Sequence, residues 1–146
     1  MQITNLTKLE VDKKLLLAAE KVALNVLGRG LEEISLVLVG DAKIKEVNKK
    51  YRGKNKITDV LSFEELNEIF ICLPQAKRFI RQSLAERGSD GGQAKQSGKA
   101  LKSLLKAELT RLLVHGIVHL KGYDHEQSAK AAREAVGIEN KILARL

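Results

Sequence analysis

Apolar residues recur along this chain with two periods, one typical of helices and one typical of strands. Between residues 16 and 27 they return every three or four positions, which predicts an amphipathic helix capped by Asp12 and ended by Gly28-Arg-Gly30. The run Ile34–Val39 is mostly apolar and rich in β-branched residues, so it predicts an interior strand. Residues 2–7 are expected to add a short edge strand.

The same alternation continues through the middle of the chain. A second helix is expected to be capped by Asp41 and to end before Gly53, with Ile44, Val47 and Tyr51 on its inward face.

Two apolar runs separated by acidic residues follow, Val60–Phe63 and Ile69–Cys72, and they predict an antiparallel pair of strands. Pro74 suits the first turn of a third helix, which should run to about Arg87. The Gly/Ser/Lys-rich segment 88–98 is expected to be a loop.

The last part of the chain predicts two more helices. One begins near Lys99 and carries core leucines at the following positions: 101, 104, 105, 109, 112 and 113. The other covers Glu126–Leu146, with an interruption near Gly137. Neither an internal repeat nor a domain boundary is visible, so residues 1–146 are expected to form one α+β domain, with a small mixed sheet of about four strands and about five helices.

Composition narrows the class of protein. Hydrophobic residues make up 44% of the chain and aromatic residues only 3%, so the core should be aliphatic. The single cysteine, Cys72, rules out an internal disulfide, fits a reducing compartment and is expected to be buried in a strand. Neither a signal sequence nor a membrane-spanning apolar run is visible, which predicts a cytoplasmic protein without a membrane partner.

The net charge of +8 is unevenly distributed. Residues 41–56 carry +5 and residues 77–106 carry +6, which leaves −3 for the rest of the chain. Two basic blocks in a slightly acidic background suit a polyanionic partner, although solvated helix faces would give the same composition. The scarcity of aromatic residues argues against broad stacking on nucleic-acid bases.

All three histidines fall in one stretch, His115-Gly-Ile-Val-His119-Leu-Lys-Gly-Tyr-Asp-His125. The first two lie four residues apart and therefore on one helix face. Gly122 can take the left-handed conformation that ends a helix, which lets the chain bring His125 back to the same point. Three imidazoles with a fourth position left open are typical of a catalytic zinc site, and such ligands also bind other divalent transition metals.

The same spacing occurs in metzincin proteases, whose motif has a Glu after the first histidine as general base. Here that position is Gly116, which argues against a peptidase.

The histidine stretch resembles the H-G-x-x-H-L-x-G-Y-D-H signature of the YbeY family of bacterial endoribonucleases. The segment Asn48–Phe63 is similar to that family's N-x-x-Y-R-x-K-x-x-x-T-D-V-L-S-F motif. One departure is Asn67, where many members have Gly, after a short turn from Phe63.

The resemblance implies one zinc ion held by His115, His119 and His125, and a functional arginine at Arg52. It also implies cleavage of single-stranded ribosomal RNA, in 3′-end maturation of the small subunit and in ribosome quality control. The small subunit or its assembly factors would then be partners. Such RNA cleavage could use either the 2′-hydroxyl or water as nucleophile.

Several roles stay open at this level. Arg52 either binds the scissile phosphate or neutralises a helix end. Asp124 either orients a ligand imidazole or caps the last helix. Lys54 and Lys56 are interpreted as contacts to RNA phosphates, and Tyr123 as a packing residue. The alternative function is a metal-stabilised RNA- or ribosome-binding assembly factor with little intrinsic catalysis.

Overall fold

A computed structural model describes residues 1–28, 30–87 and 98–146 of the chain. Within these residues the elements, in chain order, are β1 Gln2–Asn5, α1 Lys13–Leu27, β2 Ser35–Val39, α2 Asp41–Arg52, β3 Val60–Phe63, β4 Glu68–Cys72, α3 Leu73–Arg87, α4 Gly98–Leu120 and α5 Ala129–Leu143. A single 3-10 turn, Glu64–Leu66, joins β3 to β4. The predicted α+β class is confirmed.

The four strands form one mixed sheet in the order β1-β2-β4-β3. Strands β1, β2 and β4 are mutually parallel. Strand β3 lies at the edge of the sheet and pairs antiparallel with β4, with Ser62 opposite Ile69. The predicted edge strand, interior strand and antiparallel pair are therefore confirmed.

Alternating side chains of the strands pack into two hydrophobic cores, one on each face of the sheet. Leu36 and Leu38 point to the face covered by α1, α4 and α5, whereas Val37 and Val39 point to the face covered by Ile44 and Val47 of α2. Helix α4 contacts α1, α3, α5, β3 and β4, so it lies at the centre of the molecule. The central position of α4 explains why its second half is apolar on more than one face.

The start of α2 differs from the prediction. Gly40, not Asp41, occupies the N-cap, and no side chain caps this helix. Asp41 is the first helical residue, and its carboxylate accepts hydrogen bonds from Arg78 at 2.6 and 2.9 Å and from the Cys72 thiol at 3.4 Å. Cys72 is buried as predicted, and burial, helped by Asp41, raises its pKa to about 11. The cysteine is therefore a packing residue.

The end of α2 also differs. Tyr51 was expected to face inward, but its side chain is 56% exposed and packs edge-on against Phe63. The inward position belongs to Asn48, which is buried. A left-handed Gly53 (φ 67°) then ends the helix as predicted.

Two predictions about the last helices were wrong. Leu104 of α4 is 37% exposed, because among the described residues the first half of α4 has fewer neighbours than the second. Helix α5 passes through Gly137 without interruption. The helix-weakening effect of one glycine is about 1 kcal/mol, and burial of Ala135 and Ile142 on either side offsets it.

Of the predicted loop 88–98, residues 88–97 lie outside the described residues, and Gly98 begins α4. Asn67 has a left-handed φ of 49°, a conformation that Asn tolerates better than most residues. In the described part of the chain, none of the helices has the length and apolar character needed to cross a membrane.

Candidate metal centre and nucleic-acid cleft

The end of α4 positions all three histidines. His115 and His119 lie one turn apart on the helix, which ends at Leu120. Gly122 then takes a left-handed conformation (φ 87°), and its N–H donates to the carbonyl of His119 at 2.8 Å. This turn reverses the chain and brings His125 against the other two rings, as the sequence predicted.

The three imidazoles form one compact cluster. Their ring centroids are 4.5 to 4.8 Å apart, and one ligand atom from each ring lies within 4.8 Å of the other two. His125 Nδ1 is 3.1 Å from His119 Nε2. Two nitrogens bound to one tetrahedral zinc ion are separated by about 3.3 Å, so this pair already has nearly the spacing that one ion requires.

The protonation of the cluster also fits a metal ion. His125 Nε2 is fully buried and lies 2.7 Å from Glu139 Oε1, on the side of the ring opposite Nδ1. The Glu139 carboxylate therefore contacts His125 as well as His115, and Nδ1 is the nitrogen of His125 that faces His119. Burial, together with repulsion from His115 and His125, lowers the pKa of His119 and favours the neutral form that binds metals.

Glu139 of α5 is a site residue that the sequence analysis missed. It is buried, and its Oε1 lies 2.9 Å from His115 Nδ1. Burial alone would raise the pKa of Glu139, but the hydrogen bond to His115 and the charges of His115 and His125 outweigh it and lower the pKa. A signal was present in the sequence, because Glu139 lies on the same face of α5 as the buried residues Ala135 and Ile142.

Across from the histidines lies a cleft of about 370 Å³ with two walls. One, here called the histidine wall, includes His115, His119 and Asp124. The other, here called the basic wall, includes Arg52, Lys54 and Lys56. The structure therefore brings together around one cleft all the predicted site residues except His125, which lies behind the histidine wall and contacts His119.

The basic wall is shaped by two hydrogen bonds. Arg52 donates from its guanidinium to the backbone carbonyl of Ser62 at 2.9 Å. The buried Asn48 donates from its amide to the carbonyl of Lys56 at 2.9 Å, which fixes the loop that follows α2. Sequence reasoning quoted Asn48 as part of a motif but gave it no role, because only the fold shows that it faces the loop.

Comparison with known proteins identifies the family. The family model described as Endoribonuclease YbeY matches residues 2–87 and 91–146. The chain belongs to the YbeY family.

Individual YbeY proteins support this membership. The Endoribonuclease YbeY of Aquifex aeolicus is 38% identical over 144 residues, which cover 99% of this chain and 90% of that protein. The one from Thermodesulfovibrio yellowstonii is 46% identical over 114 residues, which cover 77% of this chain and 66% of that protein. The solution structure of TM1509 from Thermotoga maritima matches with a TM-score of 0.54 and 26% identity, over 97% of this chain and 85% of the other.

The glycine in the YbeY signature has a packing role in this chain. A Cβ at Gly116 would lie 2.9 Å from both Cδ1 and Cγ2 of Ile69 in β4. Position 116 therefore faces the sheet and not the cleft. A glutamate at this position, where metzincins have their general base, would press on Ile69, which gives a physical reason for the glycine.

Asp124, also within the signature, shapes the loop of the histidine wall. Its Oδ1 accepts a hydrogen bond from the backbone N–H of Glu126 at 2.8 Å. The cap of α5 is Ser128, whose side chain accepts from Ala131, so the interpretation of Asp124 as the helix cap was wrong. The charge of Asp124 acts on His119, where it partly opposes the lowering of the pKa.

Proposed function

We propose that this protein is a zinc-dependent endoribonuclease that cleaves single-stranded ribosomal RNA, with residues 1–146 acting as one catalytic domain. The observation that carries the proposal is the cleft itself, in which converging imidazoles face a wall of exposed cations. The relatives named Endoribonuclease YbeY support RNA as the substrate class. The wider role we propose is 3′-end maturation of small-subunit ribosomal RNA and ribosome quality control, together with the small subunit or its assembly factors.

The metal would be held by His115, His119 and His125. Imidazole ligands suit zinc, which when bound lowers the pKa of water and polarises a phosphoryl oxygen. Glu139 accepts a hydrogen bond from His115 Nδ1, so the tautomer of His115 leaves Nε2 unprotonated and available as a ligand.

Arg52 would bind the scissile phosphate. One of its guanidinium nitrogens is held by Ser62, which fixes the plane of the group while its other N–H donors remain to be used. A planar guanidinium in this position can donate two parallel hydrogen bonds to phosphate and offset the charge that develops during cleavage. Lys54 and Lys56 would bind neighbouring phosphates as point charges.

The dimensions of the cleft support a single-stranded substrate. A volume of about 370 Å³ is near the lower end of the range for ligand pockets. A nucleotide of a flexible strand can enter such a cleft, whereas a rigid duplex would have to remain outside it. A ribosomal RNA substrate also agrees with action in the cytoplasm, where the thiol of Cys72 stays reduced.

A second candidate function is a metal-stabilised RNA- or ribosome-binding assembly factor with little intrinsic catalysis. It is favoured by the packing of Gly116 against Ile69, which leaves no room for a base beside the first ligand. In that case chelation should lower thermal stability and RNA affinity together, and no cleavage should appear at any zinc concentration.

The deciding experiment compares cleavage of single-stranded RNA by zinc-loaded protein, chelated protein and the His119→Ala variant. We expect cleavage by the zinc-loaded protein alone, with activity restored to the chelated sample by added zinc. An excess of a small phosphodiester should compete poorly with RNA. Cleavage that is unchanged in His119→Ala would refute the proposal, and stoichiometric zinc binding without cleavage would favour the second candidate.

A further inference from the structure

The few aromatic residues of this chain are concentrated beside the cleft. The sequence has only five, and three of them form one ladder. Phe70 is buried in β4, and its ring contacts Phe63 edge-on at a centroid distance of 5.9 Å. Phe63 in turn contacts Tyr51 at 5.3 Å. The ladder therefore runs from the core to the surface and ends in a tyrosine that is 56% exposed.

Two cations lie beside the outer part of this ladder. Lys50 Nζ lies over the Tyr51 ring, 5.2 Å from its centroid, and the guanidinium of Arg52 lies over the Phe63 ring, 5.7 Å from its centroid. An exposed aromatic ring among cations is the combination by which proteins bind single-stranded nucleic acid, because bases stack on the ring while cations neutralise phosphates. An apolar protein partner would be poorly matched to a surface with this density of positive charge.

The position of the ladder connects it to the cleft. Tyr51 directly precedes Arg52, and Phe63 lies between Ser62 and Glu64. Arg52, Ser62 and Glu64 line the cleft. The Tyr51 ring and the Arg52 guanidinium both contact Phe63, so a strand bound with one phosphate at Arg52 can bring a neighbouring base to the Tyr51 ring. The Tyr51 ring is held by its edge-on contact with Phe63, so little conformational entropy is lost when a base stacks on it.

We propose that Tyr51 is a stacking platform for a base adjacent to the cleaved phosphodiester of single-stranded RNA. The inference rests on the proposed function and adds a base-binding subsite to it. Stacking requires an unpaired base, so the platform also contributes to the preference for single strands over duplexes. Because every base has an aromatic face, the subsite should tolerate all four bases.

The absence of tryptophan provides a direct test, since Tyr51 and Tyr123 are the only strong fluorophores in the sequence. Tyr123 packs against the larger core, so Tyr123→Phe gives a background in which the tyrosine emission comes from Tyr51. The probe is a cleavage-resistant 2′-O-methyl phosphorothioate oligonucleotide, used beside a matched abasic one. Stacking should quench the Tyr51 emission with the first oligonucleotide and not with the second.

Affinities of three proteins complete the test. Tyr51→Leu should weaken binding of the base-containing oligonucleotide roughly 5- to 150-fold, whereas Tyr51→Phe should bind like the parent. Neither variant should change affinity for the abasic oligonucleotide. Equal affinity of Tyr51→Leu and parent, or an equal loss on both oligonucleotides, would overturn the platform. If the parent protein binds neither oligonucleotide, the proposed function itself fails. If the parent binds with quenching of the Tyr51 emission but never cleaves RNA, only the catalytic part of that function is lost.

Discussion

On the histidine wall the functional groups are held by one another and by the core, whereas on the basic wall the two lysines end in solvent. His115 is fixed by the buried Glu139, and the helix that carries it packs directly on the sheet. Lys54 and Lys56 are exposed on a loop, and only the backbone of that loop is fixed, by Asn48. The two walls therefore face the same space with different rigidity.

This difference in rigidity predicts which substitutions should abolish a function and which should weaken it by small steps. A metal site works only when its ligands converge within a few tenths of an ångström, so it depends on the groups behind the ligands. Binding of phosphates by exposed lysines is a sum of small, salt-dependent contributions. Arg52 lies on the basic wall, but its guanidinium is fixed by a hydrogen bond, as the side chains of the histidine wall are.

The largest effect should come from the one fixed cation of the basic wall. Arg52→Ala should lower the rate constant for RNA cleavage about 100- to 1,000-fold, because it removes a preorganised donor to the transition state. Zinc content should not change. Lys45→Ala is the matched control, since it removes an equal charge from an exposed position of the same helix outside the cleft. A comparable loss in both variants would contradict a specific role for Arg52.

The support of the histidine wall should be the next most sensitive feature. Glu139→Gln should weaken zinc binding about 10- to 100-fold, because the carboxylate that orients His115 is lost. Titration of zinc against a competing chelator measures this directly. Glu134→Gln on the exposed side of α5 is the control. Lower thermal stability with unchanged zinc affinity would show that Glu139 serves the fold and not the metal.

Substitution of one glycine beside each wall allows the two walls to be compared by the free energy of unfolding. Gly116→Ala should lower the free energy of unfolding by about 1 to 3 kcal/mol, because its Cβ would press on Ile69. Gly53→Asn, at the left-handed end of α2, should cost less, since Asn accepts that conformation and the site is open. Urea denaturation measures both. Equal losses would mean that the two walls are equally coupled to the core.

The smallest effects should come from the exposed lysines. Replacing Lys54 and Lys56 together by Ala should reduce the salt dependence of RNA binding by about 1.4 in the slope of log K against log salt, about 0.7 for each phosphate contact. Lys13 and Lys14 serve as the control pair, because α1 begins beside Lys106, about 13 Å along α4 from His115. A steeper or unchanged slope in the Lys54/Lys56 variant would argue against phosphate contacts there.

Local sequence signals were enough for most of the elements and for the histidine cluster. The histidine spacing and Gly122 predicted that the three imidazoles converge, because a helical repeat and a left-handed turn are local properties. The strand pairing could be predicted from two apolar runs and a short turn.

The misses came from contacts between distant parts of the chain. Glu139 lies 24 residues after His115, and only the packing of α5 on α4 joins them. Tyr51 keeps the helical spacing of Ile44 and Val47, so periodicity placed it inside, but it packs on the ring of Phe63 at the surface. The sparse aromatic content likewise hid the fact that most of these residues share one location.

The hydrogen bond from Arg52 to Ser62 also covers part of an open sheet edge. Strand β3 is an edge strand, and Ser62 carries one of the backbone carbonyls on its unpaired side. Such a row of open acceptors is a template on which a strand of another molecule can add. The guanidinium covers this acceptor and leaves a positive charge over it, so the side chain that we propose to bind phosphate also covers part of the open sheet edge.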